Sequence, residues 1–232
     1  MNKADILAHL KREQDPRGLA HWNENPQRSG GLKSHGIGLV KLRKFAKSLG
    51  RDPKLAKQLW STNLHEAKVL ALLIDDPKTM TVEQAETQVE QLQGGYLEHV
   101  FSSCDATLAK APFANELLET WVLSKDKVRH RCGHGLLYEA SKSKKKTAPT
   151  EATFLKHITR IGQTYKGKNQ STLLAMGNAL MGMGCRTKTL NAAALRVAKQ
   201  IGPIHFDPTG KCAPFDVEKH LTKDLIQKRL GT

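Results

Sequence analysis

The stretch GLVKLRKFAKSLGRDPKLAKQLWSTNLHEAKVLALLIDDP, residues 38–77, decides the fold. Leu, Ala and Lys dominate it and alternating β-branched residues are nearly absent, so its period is helical. One helix is expected over about 38–48, ending at Gly50 as a C-cap. A second runs over about 53–61 with Pro53 in its first turn. The third, 64–74, is stopped by Asp75-Asp76-Pro77.

The same rhythm extends outward. A first helix is expected over 3–13, with Ile6, Leu7 and Leu10 on one stripe. DPRGLAHWNENPQRSGG (15–31) reads as a loop, because Pro, Gly and Asn crowd it. Thr81 and Gln84 form a plausible capping box for 82–93, which Gly94-Gly95 ends. Helices follow over 96–110, 113–124 and 126–141. The basic loop SKSKKKTAPT (141–150) then leads to 151–164, about 170–183, 188–201 and 214–229. The second member of each pair begins near His65, Tyr96, Lys127 and Asn169, in steps of 31, 31 and 42 residues. One helix pair cannot bury its apolar face alone, so successive pairs stack. The period is that of HEAT or armadillo arrays. The expected fold class is all-α: an α-solenoid or superhelix of HEAT-like helical pairs whose second helices line a concave basic groove. An irregular helical bundle is the competing arrangement. A single domain over 1–232 is expected, with 1–31 an N-terminal helix and loop and the repeats within 33–221.

Charge points to a partner. Lys and Arg number 37 against 22 Asp and Glu, a net charge of +15. Such an excess attracts polyanions, nucleic acid above all. Cys104, Cys132, Cys185 and Cys212 have no C-x-x-C spacing and match no zinc module, so they read as reduced thiols of a cytoplasmic protein. The N-terminal segment lacks the continuous apolar core of a secretory signal. VLALLI (69–74) is far too short to span a bilayer.

RHRCGH (129–134) is the densest chemistry in the chain. On a helical wheel Val128, Cys132, Leu136 and Ala140 form one stripe, expected to face the core. His130, Arg131, His134 and Tyr138 fall opposite. Cys132 therefore points away from the histidines, which excludes a shared metal and a Cys–His nucleophile. His130 and His134 stand at i, i+4, but no third zinc ligand is near in sequence and no H-E-x-x-H is present. No metal and no cofactor is expected. What remains is a polar face on which Arg131 would grip a phosphate bidentately, or a solvated face without a partner.

The 38–77 stretch, with its L-R-K-x-A-K, L-W-x-x-x-x-H-E-A and L-I-D-D-P elements, resembles the DNA alkylation repair family of AlkD-like, HEAT-repeat alkylpurine glycosylases. CDATLAKAPFANELLETWVLSKDKVRHRCGHGLL (104–137) resembles the same family. GNALMGMGCRTKTLNAAALRVAKQIG (177–202) and the tail with Lys211 and Cys212 resemble one divergent branch. The likeness runs from about residue 33 to 221. It implies a helical superhelix cradling double-stranded DNA as a monomer, associated with the nucleoid. It also implies excision of cationic N3- or N7-alkylated purines by hydrolysis of the N-glycosidic bond. A carboxylate would then stabilise the sugar cation.

The family's W-x-x-x-D falls on Leu97 and Phe101, neither of which can act. Asp105, one turn later on the expected helix, is the candidate catalytic carboxylate, and Tyr96 the candidate replacement for the aromatic. Their competing reading is a surface aspartate paired with a lysine such as Lys110. The family arginine falls on Arg131. Leu173 and Asn178 stand where relatives carry an arginine and a tryptophan. Arg129, Lys168, Arg186, Lys188 and the lysines of 142–146 would add sequence-independent attraction. Trp60 and Trp121 are expected in the core, and Glu66 in a capping or structural role. Three functions stay open: an alkylpurine DNA glycosylase, a DNA-binding relative without catalysis, and a HEAT scaffold for an acidic protein.

Overall fold

The computed structural model describes residues 1–26, 29–206 and 212–231. Among them the chain is all-α, with two isolated β-bridges, Lys33–Leu64 and Ile204–Phe215. No described helix is long and apolar enough to cross a membrane. Two compact units divide the chain, Met1–Ala114 and Asn115–Thr232.

The first unit holds α1 (Lys3–Arg12), α2 (Pro16–Glu24), α3 (Leu39–Leu49), α4 (Pro53–Trp60), α5 (His65–Ile74), α6 (Val82–Glu90) and α7 (Tyr96–Ser102). Short polar side chains set the starts. Asn2 and Asp5 close a capping box on α1, Asp52 accepts from Leu55 N at 2.9 Å, and Thr81 Oγ1 accepts from Gln84 N at 3.1 Å. Each such cap stabilises by about 1 kcal/mol. The Thr81 box is only half formed, because the Gln84 side chain turns to Asp75 Oδ2 at 2.6 Å. α5 is the central helix: it packs on α1, α3, α4 and α7. Eight of its ten residues from His65 to Ile74 are buried, more than one stripe requires, so it is buried nearly all round. Trp60 and Trp121 are both buried, as expected.

Two expectations fail here. α2 lies inside the segment read as a loop. Asp15 Oδ1 accepts from Arg17 N and Gly18 N, and Pro16 occupies the first turn. The helix is entered through an Asp-Pro start that outweighs the Gly and Asn content. α7 stops at Ser102 instead of running to 110. Cys104 and Asp105 take left-handed backbone, φ +59° and +66°, before a single 3-10 turn at Leu108–Lys110. The strain is held by bonds to the end of α5: Thr107 N donates to Leu72 O at 2.9 Å, and Thr107 Oγ1 to Asp75 O at 3.0 Å.

The second unit holds α8 (Ala114–Trp121), α9 (Lys127–Lys142), α10 (Glu151–Thr164), α11 (Gln170–Gly184), α12 (Lys188–Ile201), α13 (Val217–Leu221) and α14 (Asp224–Leu230). The helix expected over 214–229 is thus broken in two. Asp126, Thr150, Asn169, Thr187 and Asp216 cap five of the starts. α9 and α11 form the most extensive packed pair, with α12 on α11 and α10 on α12. Second members of pairs begin at His65, Tyr96, Lys127 and Gln170, as the sequence period required.

Close helix approach fixes this unit. A Cβ on Gly133 would stand 2.6 Å from Val122 N, and one on Gly182 2.1 Å from Ser141 Oγ. The first obstacle is backbone and cannot swing aside. Gly133→Ala is therefore expected to lower stability by about 1–3 kcal/mol through overpacking. Gly38, the uncapped N-cap of α3 with open space around it, gives the contrast. Gly38→Ser is expected to raise stability by roughly 0.5 kcal/mol. Thermal or urea unfolding of the two variants checks both signs.

Candidate nucleic-acid interface

Asp105 is not on a helix face. It sits on the left-handed loop after α7, its side chain 63% exposed, with Arg43 Nη2 at 3.3 Å from Oδ2. Arg43 Nε donates to the Cys104 carbonyl, and Lys110 Nζ to the Asp105 carbonyl at 2.6 Å. The expected lysine does meet this residue, but at its backbone; the carboxylate partner is an arginine from α3. Leu97 and Phe101 are buried in the core. Tyr96 is 39% exposed, its ring 5.5 Å from His99 and 6.0 Å from His65. A Cys–His contact does occur, though not at Cys132: Cys104 Sγ is 3.2 Å from His99 Nε2.

The polar face expected on α9 is not a surface. Arg131 is 3% exposed and His134 2%, and every residue from His130 to Leu137 is buried. The wheel assumed one buried stripe. Gly133 instead lets the end of α8 close on α9 while α11 packs along another side, so the helix has little free face over its first half. Arg131 Nε reaches Ser171 Oγ at 3.4 Å. His134 Nδ1 meets the His130 carbonyl at 2.8 Å, and the two rings stand edge to face at 4.8 Å. Burial, helped by the charge of Lys168, lowers the pKa of both imidazoles, that of His134 to about 3. The buried His157 meets Glu119 Oε1 at 2.8 Å. Arg129 is held by its own N-cap, Asp126, at 3.8 Å.

The open end of α9 is different. A cleft of about 690 Å³ lies between the end of α9, the α11–α12 junction and α14, lined among others by Tyr138, Lys142, Lys144, Arg186, His220 and Arg229. Lys142 pairs with Glu139 at 2.6 Å and lies 4.6 Å above the Tyr138 ring. Arg186 spans the end of α9, donating to Ser141 O at 2.5 Å and Ser143 O at 2.9 Å, and stacks over Phe154. Its role there is to close a helix whose last carbonyls lack partners. Arg229, exposed, donates to Cys185 O at 2.7 Å. Lys144, Lys145 and Lys146 are exposed and form no ion pair among the described residues. Lys188 is exposed one residue past Thr187, which lines the cleft. Of the residues expected to meet nucleic acid, Tyr138, Arg186 and the 142–144 lysines thus share one place. His220 and Arg229 were not expected; the only sequence signal was the basic ending of DLIQKRL. Leu173 and Asn178 are both half-buried on α11. Lys211 lies outside the described residues.

Charge is uneven. Unit one carries 16 Lys and Arg against 13 Asp and Glu, net +3; unit two carries 21 against 9, net +12. Most of the attraction for a polyanion therefore arises in the second unit.

Stacked helical pairs, glycine-spaced contacts and a basic cleft define a HEAT-like repeat protein. Its fold is similar to that of a solved protein described as belonging to "a new family of proteins related to the HEAT-like repeat DNA glycosylases with affinity for branched DNA structures". The TM-score is 0.83 at 20% identity, over 100% of this chain and 97% of that one. The chain belongs to the DNA alkylation repair enzyme family, whose sequence profile matches residues 6–203. A comparison with curated proteins finds no match.

Two buried imidazoles make stability depend on pH. Desolvation lowers His65 to about 4 and His134 to about 3. Both lie below the unfolded value near 6.5, so the unfolded chain binds more protons below that pH. Stability is complete above pH 6.5 and falls as pH drops toward 4. From pH 7 to 5 each histidine contributes a loss of about 2 kcal/mol. Urea unfolding across that range is expected to show this decline, and His134→Gln to remove about 2 kcal/mol of it; a flat profile would refute the buried neutral state.

Proposed function

We propose that this protein is a DNA-binding member of its family that holds branched or otherwise structured DNA by its phosphates, through the basic cleft of the second unit. The observation that carries the reading is the gathering of Lys142, Lys144, Arg186, His220 and Arg229 around one 690 Å³ cleft in a unit of net charge +12. Arginine forks and lysine ammonium groups bind phosphate without reading bases. Such a surface prefers DNA by shape and charge density, and a junction presents more phosphates to it than a single duplex arm. The affinity for branched DNA of the protein sharing this fold supports the same partner.

A second reading is kept because the family is named for repair: excision of alkylated purines with Asp105 as the carboxylate. The pairing of Asp105 with Arg43 at 3.3 Å weighs against it. A guanidinium at that distance cancels much of the negative potential that a developing sugar cation needs.

Two measurements test these readings. Lys142→Ala/Lys144→Ala/Arg229→Ala is expected to weaken binding to a four-way junction by tenfold or more and to flatten the log K against log salt plot by about two to three phosphate equivalents. Unchanged affinity would overturn the assignment of the cleft. Incubated at stoichiometric concentration with methylated duplex, the wild-type protein is expected to release no 7-methylguanine. Release that Asp105→Asn abolishes would establish the glycosylase reading instead.

A further inference from the structure

The first unit holds a cavity of about 370 Å³, lined by α2, the 34–39 segment, the start of α5 and Tyr96. Three rings line it in a row, each tilted about 45° to the next: Trp22 and His65 have centroids 4.7 Å apart, and Tyr96 stands 6.0 Å from His65. Three of the lining side chains carry a buried polar atom with no hydrogen-bond partner: Glu66 Oε2, Asn25 Oδ1 and His65 Nδ1.

The imbalance at Glu66 is pronounced. Its residue is wholly buried, and Oε1 accepts from Ser34 Oγ at 2.6 Å, His35 N at 3.0 Å and Ile37 N at 3.2 Å. Among the described residues every donor falls on one oxygen, and the other has none. Asn25 donates Nδ2 to the His21 carbonyl at 2.8 Å, which assigns its amide and leaves Oδ1 as the unpaired acceptor. Folded proteins leave few buried polar groups unpaired, and such groups call for an explanation. The missing complement here is a flat group that carries two adjacent N–H donors and tolerates an aromatic wall.

We propose that this cavity binds an unpaired nucleobase of the guanine type. The base stacks on Trp22, the outer ring of the row, and its N1–H and exocyclic amino group donate to Glu66 Oε2 and Asn25 Oδ1. Only the guanine pairing edge places two donors side by side. Adenine would set its N1 lone pair against a carboxylate oxygen, and thymine offers one N–H between two carbonyls. Aromatic rows stack any base, so the two acceptors supply the selection. A guanidinium or ammonium side chain has the same donors, but the chain's net charge of +15 repels cationic partners and attracts a base borne on a polyanion. For that last step alone the inference rests on the nucleic-acid reading above.

The test titrates the whole protein with guanosine, inosine and adenosine 5′-monophosphates, following tryptophan fluorescence. Trp22 is half-buried at the cavity, whereas Trp60 and Trp121 are buried elsewhere. Saturable quenching by the guanosine nucleotide is expected, absent in Trp22→Phe. It should be at least tenfold tighter than with the inosine nucleotide, which lacks the amino group. Asn25→Ala, which spares the Glu66 hydrogen bonds, should erase that preference. Glu66→Gln should weaken binding tenfold or more; because Glu66 braces residues 34–37, its folding is checked by circular dichroism, and Asn25→Ala decides if it unfolds. Equal response to all three nucleotides means a phosphate site, and no response means an ordered water only; either overturns the proposal. Binding of fully paired duplex, measured in parallel, reports the second unit's phosphate grip, so failure of that reading is seen separately.

Discussion

The close approach of α9 to α8 and α11 governs what the second unit can do. Where Gly133 and Gly182 stand, a methyl group would strike backbone or a packed serine. Gly133 lets the end of α8 close on the first half of α9, and Gly182 lets α11 close on its last turns. Arg131, His130 and His134 become interior groups, and desolvation pushes the imidazoles toward neutrality. The polar residues then serve one another and nearby backbone, and the contacts with solvent pass to the other end of the helix. Lys142 and Lys144, Arg186 at the α11–α12 junction and Arg229 of α14 are what that end presents.

This displacement explains how far the sequence could be read. Helix pairs were legible because their starts carry caps: Asp52, Thr81, Asp126, Thr150, Asn169 and Thr187 all lie where the periodicity turned helical. Second helices at His65, Tyr96 and Lys127 followed from the spacing alone. α2 was hidden because Gly18 and the Asn residues masked an Asp-Pro start. The burial of α9 was hidden for another reason. A wheel reports amphipathicity relative to one partner, and α9 has partners on several sides. The glycines of these helices, Gly133 and Gly135 in α9 and Gly177, Gly182 and Gly184 in α11, were the available signal of close packing.

The first unit is organised around a different constraint. Glu66 enters at the first turn of α5 and gathers Ser34, His35 and Ile37 onto one oxygen, which ties the covering segment to the central helix. The sequence placed Glu66 in a structural role, and that role is real. Only the fold brings the second, unpaired oxygen and the ring row together. A carboxylate that needed only to brace a loop would gain by sharing its donors between both oxygens.

The setting of Asp105 is best understood through Arg43. Phe101 of α7, where the resemblance would put the family's aspartate, is buried in the core. The helix ends at Ser102, and Cys104 and Asp105 turn left-handed, a conformation costing on the order of 1 kcal/mol per non-glycine residue. Arg43 offsets that strain with one bond to the Cys104 carbonyl and one ion pair to Asp105, while Lys110 secures the Asp105 carbonyl. A side chain recruited to hold a turn in this way is neutralised by the same cation that holds it. The basic cleft of the second unit is built from other residues, so its charge does not depend on this loop.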